Sequence, residues 1–86
     1  MPRRKRTGED PIALAARKLV ARNARRLREM MGVSLWDVAG QGGMTVRTLQ
    51  RIEAGESNLA LETLVKLSIG LSVDVMELFE APPKGS

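Results

Sequence analysis

Residues 43 to 55, GMTVRTLQRIEAG, decide the fold. Thr45 is a residue type that caps helix N-termini and Gly55 one that closes helices, so the stretch predicts a short helix over residues 45 to 54. Leu49 and Ile52, with Met44 just before, give that helix an apolar side. Arg47, Gln50, Arg51 and Ala54 recur at i, i+3, i+4 and i+7, which gathers them on the opposite side. Such a face is either ordinary solvated surface or a surface that reads a partner. The flanking residues bear on which.

The chain has 86 residues, enough for one small domain with a limited core and no separate effector domain. It has no cysteine and no histidine. That removes disulfides, thiolate and imidazole metal ligands, and the commonest general base, so neither a metal nor a cofactor is expected. No apolar run approaches the roughly 20 residues of a membrane helix and no signal-peptide pattern opens the chain; a cytoplasmic protein away from the membrane is expected. The net charge of +4 is unevenly spread: residues 1 to 31 hold ten Lys/Arg against three acids, a net +7, and residues 32 to 86 four against seven, a net −3. A basic end suggests a polyanionic partner, although solvated helix faces have similar compositions.

Read along its length, the chain predicts an all-α fold of five helices, with no segment alternating at period two. Residues 1 to 10 have no periodicity and are expected to form a disordered basic arm. Asp10-Pro11 is a cap followed by proline at the first helical position, and the first helix runs over residues 12 to 31 to Gly32, with Val20, Ala24, Leu27 and Met31 as its stripe. Ser34 and Asp37 have capping-box spacing for a second helix, which Gly40, Gly42 and Gly43 should end, with Gly43 left-handed. A fourth helix is expected over residues 59 to 71, capped by Asn58, with Leu64, Leu67, Ser68 and Leu71 inward. Asp74 and Glu77 open a fifth, which Ala81-Pro82-Pro83 terminates. The domain should span residues 11 to 80, leaving a loose tail over 81 to 86.

Two short helices joined by a tight glycine turn, the second with an apolar back and a polar front, have the form of a helix-turn-helix. With LREMMGVS, the Val38-Ala39 pair, GMTVRTLQRIEAG, LETLVKL and LSVDVMELF in order, the chain resembles the Xre/Cro family, the small DNA-binding domains of lambda-repressor type, from about residue 20 to residue 79. RIEAG is the most specific of these segments. The resemblance implies that residues 34 to 41 lie across the phosphate backbone and that residues 45 to 54 enter the major groove of double-stranded DNA. It places Val46, Arg47 and Arg51 on base edges, with Thr45, Thr48 and Gln50 beside them on bases or backbone. The chemistry agrees: arginine bonds guanine O6 and N7 in pairs, glutamine can do the same for adenine, and valine can meet a thymine methyl. The resemblance also implies a partly buried ion pair between Arg28 and Glu53, which makes Arg28 structural.

The chain departs from the family pattern at Leu35, where a phosphate-binding glutamine often stands, and at Leu59 and Ala60, where proline and serine often precede the fourth helix. Backbone anchoring is then expected from Ser34, Ser57, Asn58 and the arm residues Arg3, Arg4, Lys5 and Arg6, the arm acting by diffuse attraction. The resemblance places Trp36 and Ile69 on positions that normally face outward, and Val75, Met76 and Phe79 add apolar surface beyond what one core uses. This surplus suggests a homodimer through the last two helices. Phe79 closing the core, or Trp36 packing on the first helix, are the alternatives.

The expected function is that of a sequence-specific transcription regulator, not an enzyme, since Asp37, Glu53, Glu62 and Asp74 are spread over caps and helix surfaces with no nucleophile–base pair. Among small members of the family the size is most like that of restriction–modification controller proteins. The alternative is an antitoxin or coactivator-type module whose partner is a protein, a toxin or RNA polymerase, with DNA reading secondary.

Overall fold

Asp10 opens the first helix: its carboxylate accepts the Ile12 backbone N–H at 2.9 Å, and Pro11 sits where no N–H is missed. The structure, a computed structural model, describes residues 10 to 56 and 58 to 81. Arg3, Arg4, Lys5 and Arg6 of the arm, Ser57, and the tail from residue 82 lie outside the described residues. The first helix, α1 (Pro11–Met31), ends at Gly32, whose φ of 70° lets its N–H bond the Arg28 and Glu29 carbonyls. Val20 and Ala24 of its stripe are buried, but Met31 is 44% exposed; Ala21 and Asn23 are buried in addition.

The second helix, α2 (Leu35–Gly42), has a complete capping box. Ser34 Oγ accepts the Asp37 N–H at 3.1 Å, while the Ser34 N–H and hydroxyl donate to Asp37 Oδ2 at 3.1 and 3.0 Å. Gly43 is left-handed at φ 73° and ends the helix. Gly40, contrary to expectation, lies within the helix, whereas Gly42 is its last residue. The third helix, α3 (Val46–Glu53), is capped by Thr45, which accepts the Thr48 N–H at 3.1 Å.

The fourth helix, α4 (Leu61–Leu71), begins two residues later than the expected Leu59, and Asn58 is not its cap. Ala60 holds the cap position without a side-chain bond, because Asn58 Oδ1 instead accepts Arg17 Nη1 of α1 at 3.3 Å. The expected fifth α-helix is corrected too: Val75–Phe79 is a short 3-10 segment. Its cap is the expected one, with Asp74 Oδ1 accepting the Met76 N–H and the Asp74 N–H donating to Glu77 Oε2. Five residues supply few i→i+4 bonds, and a following Ala81-Pro82 step disfavours helical backbone. The described residues thus form four α-helices and no strand.

One core joins these elements. Val20 and Ala24 of α1, Val38 and Ala39 of α2, Leu49 and Ile52 of α3, and Leu67 and Leu71 of α4 meet there. Leu78 closes it, fully buried, and the neighbouring Phe79 is 41% exposed. α2 and α4 run in opposite directions across each other, Gly70 against Val38 and Gly42 against Lys66. A Cβ at Gly42 would stand 2.5 Å from the Lys66 carbonyl oxygen, and one at Gly70 would overlap the Val38 carbonyl oxygen. Only glycine permits this approach. It fixes where α2 sits, and therefore where α3 points.

Candidate nucleic-acid interface

Residues 43 to 45 alone separate α2 from α3. Left-handed Gly43 reverses the chain, the Met44 N–H returns to the Ala39 carbonyl at 2.9 Å, and Thr45 starts the new helix at once. No slack remains in the turn. Leu49 and Ile52 are 0% and 1% exposed, and each such buried side chain contributes about 1.5–3 kcal/mol. The back of α3 is therefore held by the core along its length.

Its C-terminal turn is held by charge. Arg28 Nε donates to Glu53 Oε2 at 2.7 Å and Nη2 donates to Oε1 at 3.1 Å, a bidentate pair with 16% and 10% of the two side chains exposed. Arg28 Nη1 also reaches the Val33 carbonyl at 3.5 Å. The hydrogen bond to Glu53 raises the Arg28 pKa; burial acts the other way, and attraction to Glu53 and Glu29 adds to the rise. Arg28 is thereby committed to the fold.

The front of α3 is open. Arg47, Gln50 and Arg51 are exposed and, with Glu56, border a polar hollow. Among the described residues, neither the Arg47 nor the Arg51 side chain makes a hydrogen bond or ion pair, so both guanidiniums remain available to an outside acceptor. Glu56 carries no sequence signal that links it to this face. It lies just past the Gly55 turn, its N–H bonds the Arg51 carbonyl at 3.0 Å, and it lines the same hollow. No periodicity marks a residue beyond the end of its helix.

The other candidates divide. Val46 is half-buried and packs against the core, so it shows the outside less than the arginines do. Thr45 Oγ1 donates to Thr48 Oγ1 at 2.9 Å, and Ser34 is engaged with Asp37; these hydroxyls form the caps of α3 and α2. The Ser34 N–H, and then its hydroxyl, hold the Asp37 carboxyl below the usual aspartate pKa. Asn58 is exposed but tied to Arg17. Ile69, Met76 and Phe79 are 56%, 66% and 41% exposed, whereas Val75 is half-buried against the core. Trp36 is 75% exposed, which rules out its packing on α1.

Two short helices at a three-residue turn, the second rigidly backed and with free guanidiniums in front, define a helix-turn-helix protein. The helix-turn-helix family matches residues 25–78, more than half of the chain, and the protein belongs to that family, of Xre type, whose members are DNA-binding transcriptional regulators. A Pyrococcus horikoshii protein classed as an HTH-type transcriptional regulatory protein is 32% identical over 80 residues. That match takes in 87% of this chain, which spans only 23% of that relative's length. The restriction-modification controller protein C.AhdI of Aeromonas hydrophila superposes with a TM-score of 0.71 at 28% identity, over 76% of this chain and 98% of that one. An HTH_3 family transcriptional regulator of Vibrio cholerae superposes with a TM-score of 0.74 at 30% identity, over 78% of this chain and 38% of that one. Among the described residues no helix is long and apolar enough to cross a membrane.

Proposed function

We propose that this protein is a sequence-specific, non-catalytic, cytoplasmic regulator of transcription that binds a palindromic operator as a homodimer, with α3 in the major groove. One observation carries the reading: α3 is fixed from behind by Leu49, Ile52 and the Arg28–Glu53 pair while Arg47 and Arg51 have no partner in front. Arg47, Gln50 and Arg51 contact base edges, with Val46 at the margin. Thr45, Thr48, Ser34, Ser57, Asn58 and the arm meet the phosphate backbone, fixing register without reading sequence. Arm residues 3 to 6 add unspecific attraction.

The dimer is argued from exposed apolar surface. Leu61, Val65 and Ile69 of α4 recur every four residues and are 72%, 42% and 56% exposed; Met76 and Phe79 add the surface of the 3-10 segment. A two-fold pair joined there would present two copies of α3 to half-sites about 34 Å apart. Likeness to C.AhdI over nearly the whole of that chain supports a controller-type role. Selecting the preferred duplex from a random library tests the whole reading, since a specific regulator enriches one symmetric site. Enrichment of no sequence sinks it.

Trp36 supports a second reading, a protein–protein module such as an antitoxin or coactivator, because tryptophan is a side chain enriched at protein interfaces and this one is 75% exposed. A module of that kind would prefer its best duplex by no more than about tenfold over random DNA, whereas a specific regulator prefers its site by roughly 10³ or more.

A further inference from the structure

Beside the end of α3, on α1, lies a row of cations that the helix-turn-helix geometry does not use. Lys18, Arg22 and Arg25 recur at i, i+4 and i+7, so they share one face, and all three are exposed. They line a shallow hollow whose other wall is Glu53, Ala54 and Gly55, at the C-terminal end of α3, and the Glu53 carboxylate there is already taken up by Arg28. The approach there is close: a Cβ on Gly55 would stand 3.7 Å from Lys18 Cγ. Ala54 is itself exposed, one turn beyond Gln50 and Arg51, so the front of α3 runs without interruption into this hollow.

We propose that Lys18, Arg22 and Arg25 form a second, sequence-independent contact with DNA, holding the phosphate strand that borders the groove occupied by α3. The inference rests on the DNA-binding reading above. The occupant follows from charge and position. A duplex seated on Arg47, Gln50 and Arg51 carries its sugar–phosphate edges to either side of a groove about 12 Å wide. The row extends about 10 Å along its helix, at 1.5 Å per residue, enough to follow a strand rather than one phosphate. Arg22 has no acidic partner among the described residues, whereas Arg25 lies 3.5 Å from Glu29, with both side chains largely exposed. The contact is therefore partly masked at one end, and Glu29 sets how much of Arg25 reaches the duplex.

The test is binding of a selected-site duplex and of an unrelated duplex, followed by fluorescence anisotropy across a salt series. Replacing all three residues (Lys18→Gln, Arg22→Gln, Arg25→Gln) should make the log–log salt dependence shallower by about 2 to 3, at roughly 0.9 per phosphate contact, on both duplexes alike. The ratio of the two affinities should stay as in the native protein. The charge-keeping set (Lys18→Arg, Arg22→Lys, Arg25→Lys) should retain the native slope, and Glu29→Gln should tighten both complexes by releasing Arg25. If the triple variant unfolds, Arg22→Gln alone should shift the slope by about 0.9.

A neutralised row with an unchanged slope overturns the proposal, as does a change in site preference without a change in slope. If the native protein prefers no sequence but binds duplexes with the steep slope, the regulator reading fails while the row is still tested on unrelated DNA. Absence of duplex binding overturns both.

Discussion

Arg28 and Glu53, 25 residues apart, clamp the C-terminal turn of α1 to that of α3 through two parallel hydrogen bonds of 2.7 and 3.1 Å. Both groups are largely shielded from water, so neither charge is well solvated without the other. Removing one partner leaves the other stranded. Glu53→Gln or Arg28→Met should therefore cost on the order of 3 kcal/mol, and the double change to apolar residues of matching size should cost less than either single one. Urea unfolding of the three variants checks this; additive losses would show that the pair is not coupled.

Opposite signs are expected for alanine at three glycines. Gly42→Ala and Gly70→Ala drive a methyl group into the backbone of the facing helix, at Lys66 and Val38, and should each destabilise by about 1–3 kcal/mol or more. Gly40 lies within α2 with open space around it, so Gly40→Ala should stabilise by about 0.5–1 kcal/mol through helix propensity. Thermal midpoints give the comparison directly. A neutral Gly70→Ala would mean that α2 and α4 are not in close contact.

Asn23 is fully buried and donates both amide hydrogens to the end of the 3-10 segment, to the Leu78 carbonyl at 2.9 Å and to the carbonyl of Glu80 just past it at 2.8 Å, while its Oδ1 accepts Arg26 Nη2 at 3.2 Å. Asn23→Ala leaves these carbonyls without their donor and should cost about 1–3 kcal/mol. Amide exchange should accelerate first in residues 75 to 79. Uniform acceleration over the whole chain would show that the segment is not a separately tethered unit.

Arg47→Ala and Arg51→Ala should each weaken binding to the preferred duplex by about 1–3 kcal/mol and relax base preference at one position. Stability should be unaffected, since neither side chain bonds within the protein. Repeating duplex selection with each variant measures the effect, and an unaltered preference in both would move base reading elsewhere. Glu56→Gln, in the same hollow, should raise affinity for every sequence by removing a charge that repels phosphate.

Because the Ser34 bonds lower the Asp37 pKa in the folded protein, its carboxylate contributes stability above the unfolded aspartate value of about 3.9. That contribution is lost as the pH falls through the lower, folded value. Asp37→Asn should therefore lower the melting temperature at pH 7 and lose this deficit near pH 2. A deficit that persists in acid would assign the effect to side-chain geometry instead of charge.

Helix starts and stops were legible where the deciding partner lies within four residues. Asp10 finds Ile12, Ser34 finds Asp37, Thr45 finds Thr48 and Asp74 finds Met76, each along the local chain. The alternation of Leu49 and Ile52 with Arg47, Gln50 and Arg51 likewise follows from the geometry of one helix. Asn58 has the composition of a cap but is drawn away by Arg17, 41 residues distant. The 3-10 segment departs from the expected helix for a related reason: its cap is local, yet it is secured by Asn23 on another helix and by Leu78, not Phe79, entering the core.

The residues alone determined the capped helices, the left-handed turn at Gly43 and the division of α3 into an apolar back and a basic front, because bonds and periodicity of that kind act over one or two turns of chain. Tertiary packing alone decided that Gly42 and Gly70 serve a helix crossing, that Glu56 shares a hollow with the arginines, and that Lys18, Arg22 and Arg25 stand beside the end of α3. Those relationships depend on the angles and distances at which whole helices meet, which the core sets cooperatively and no local pattern of residues records.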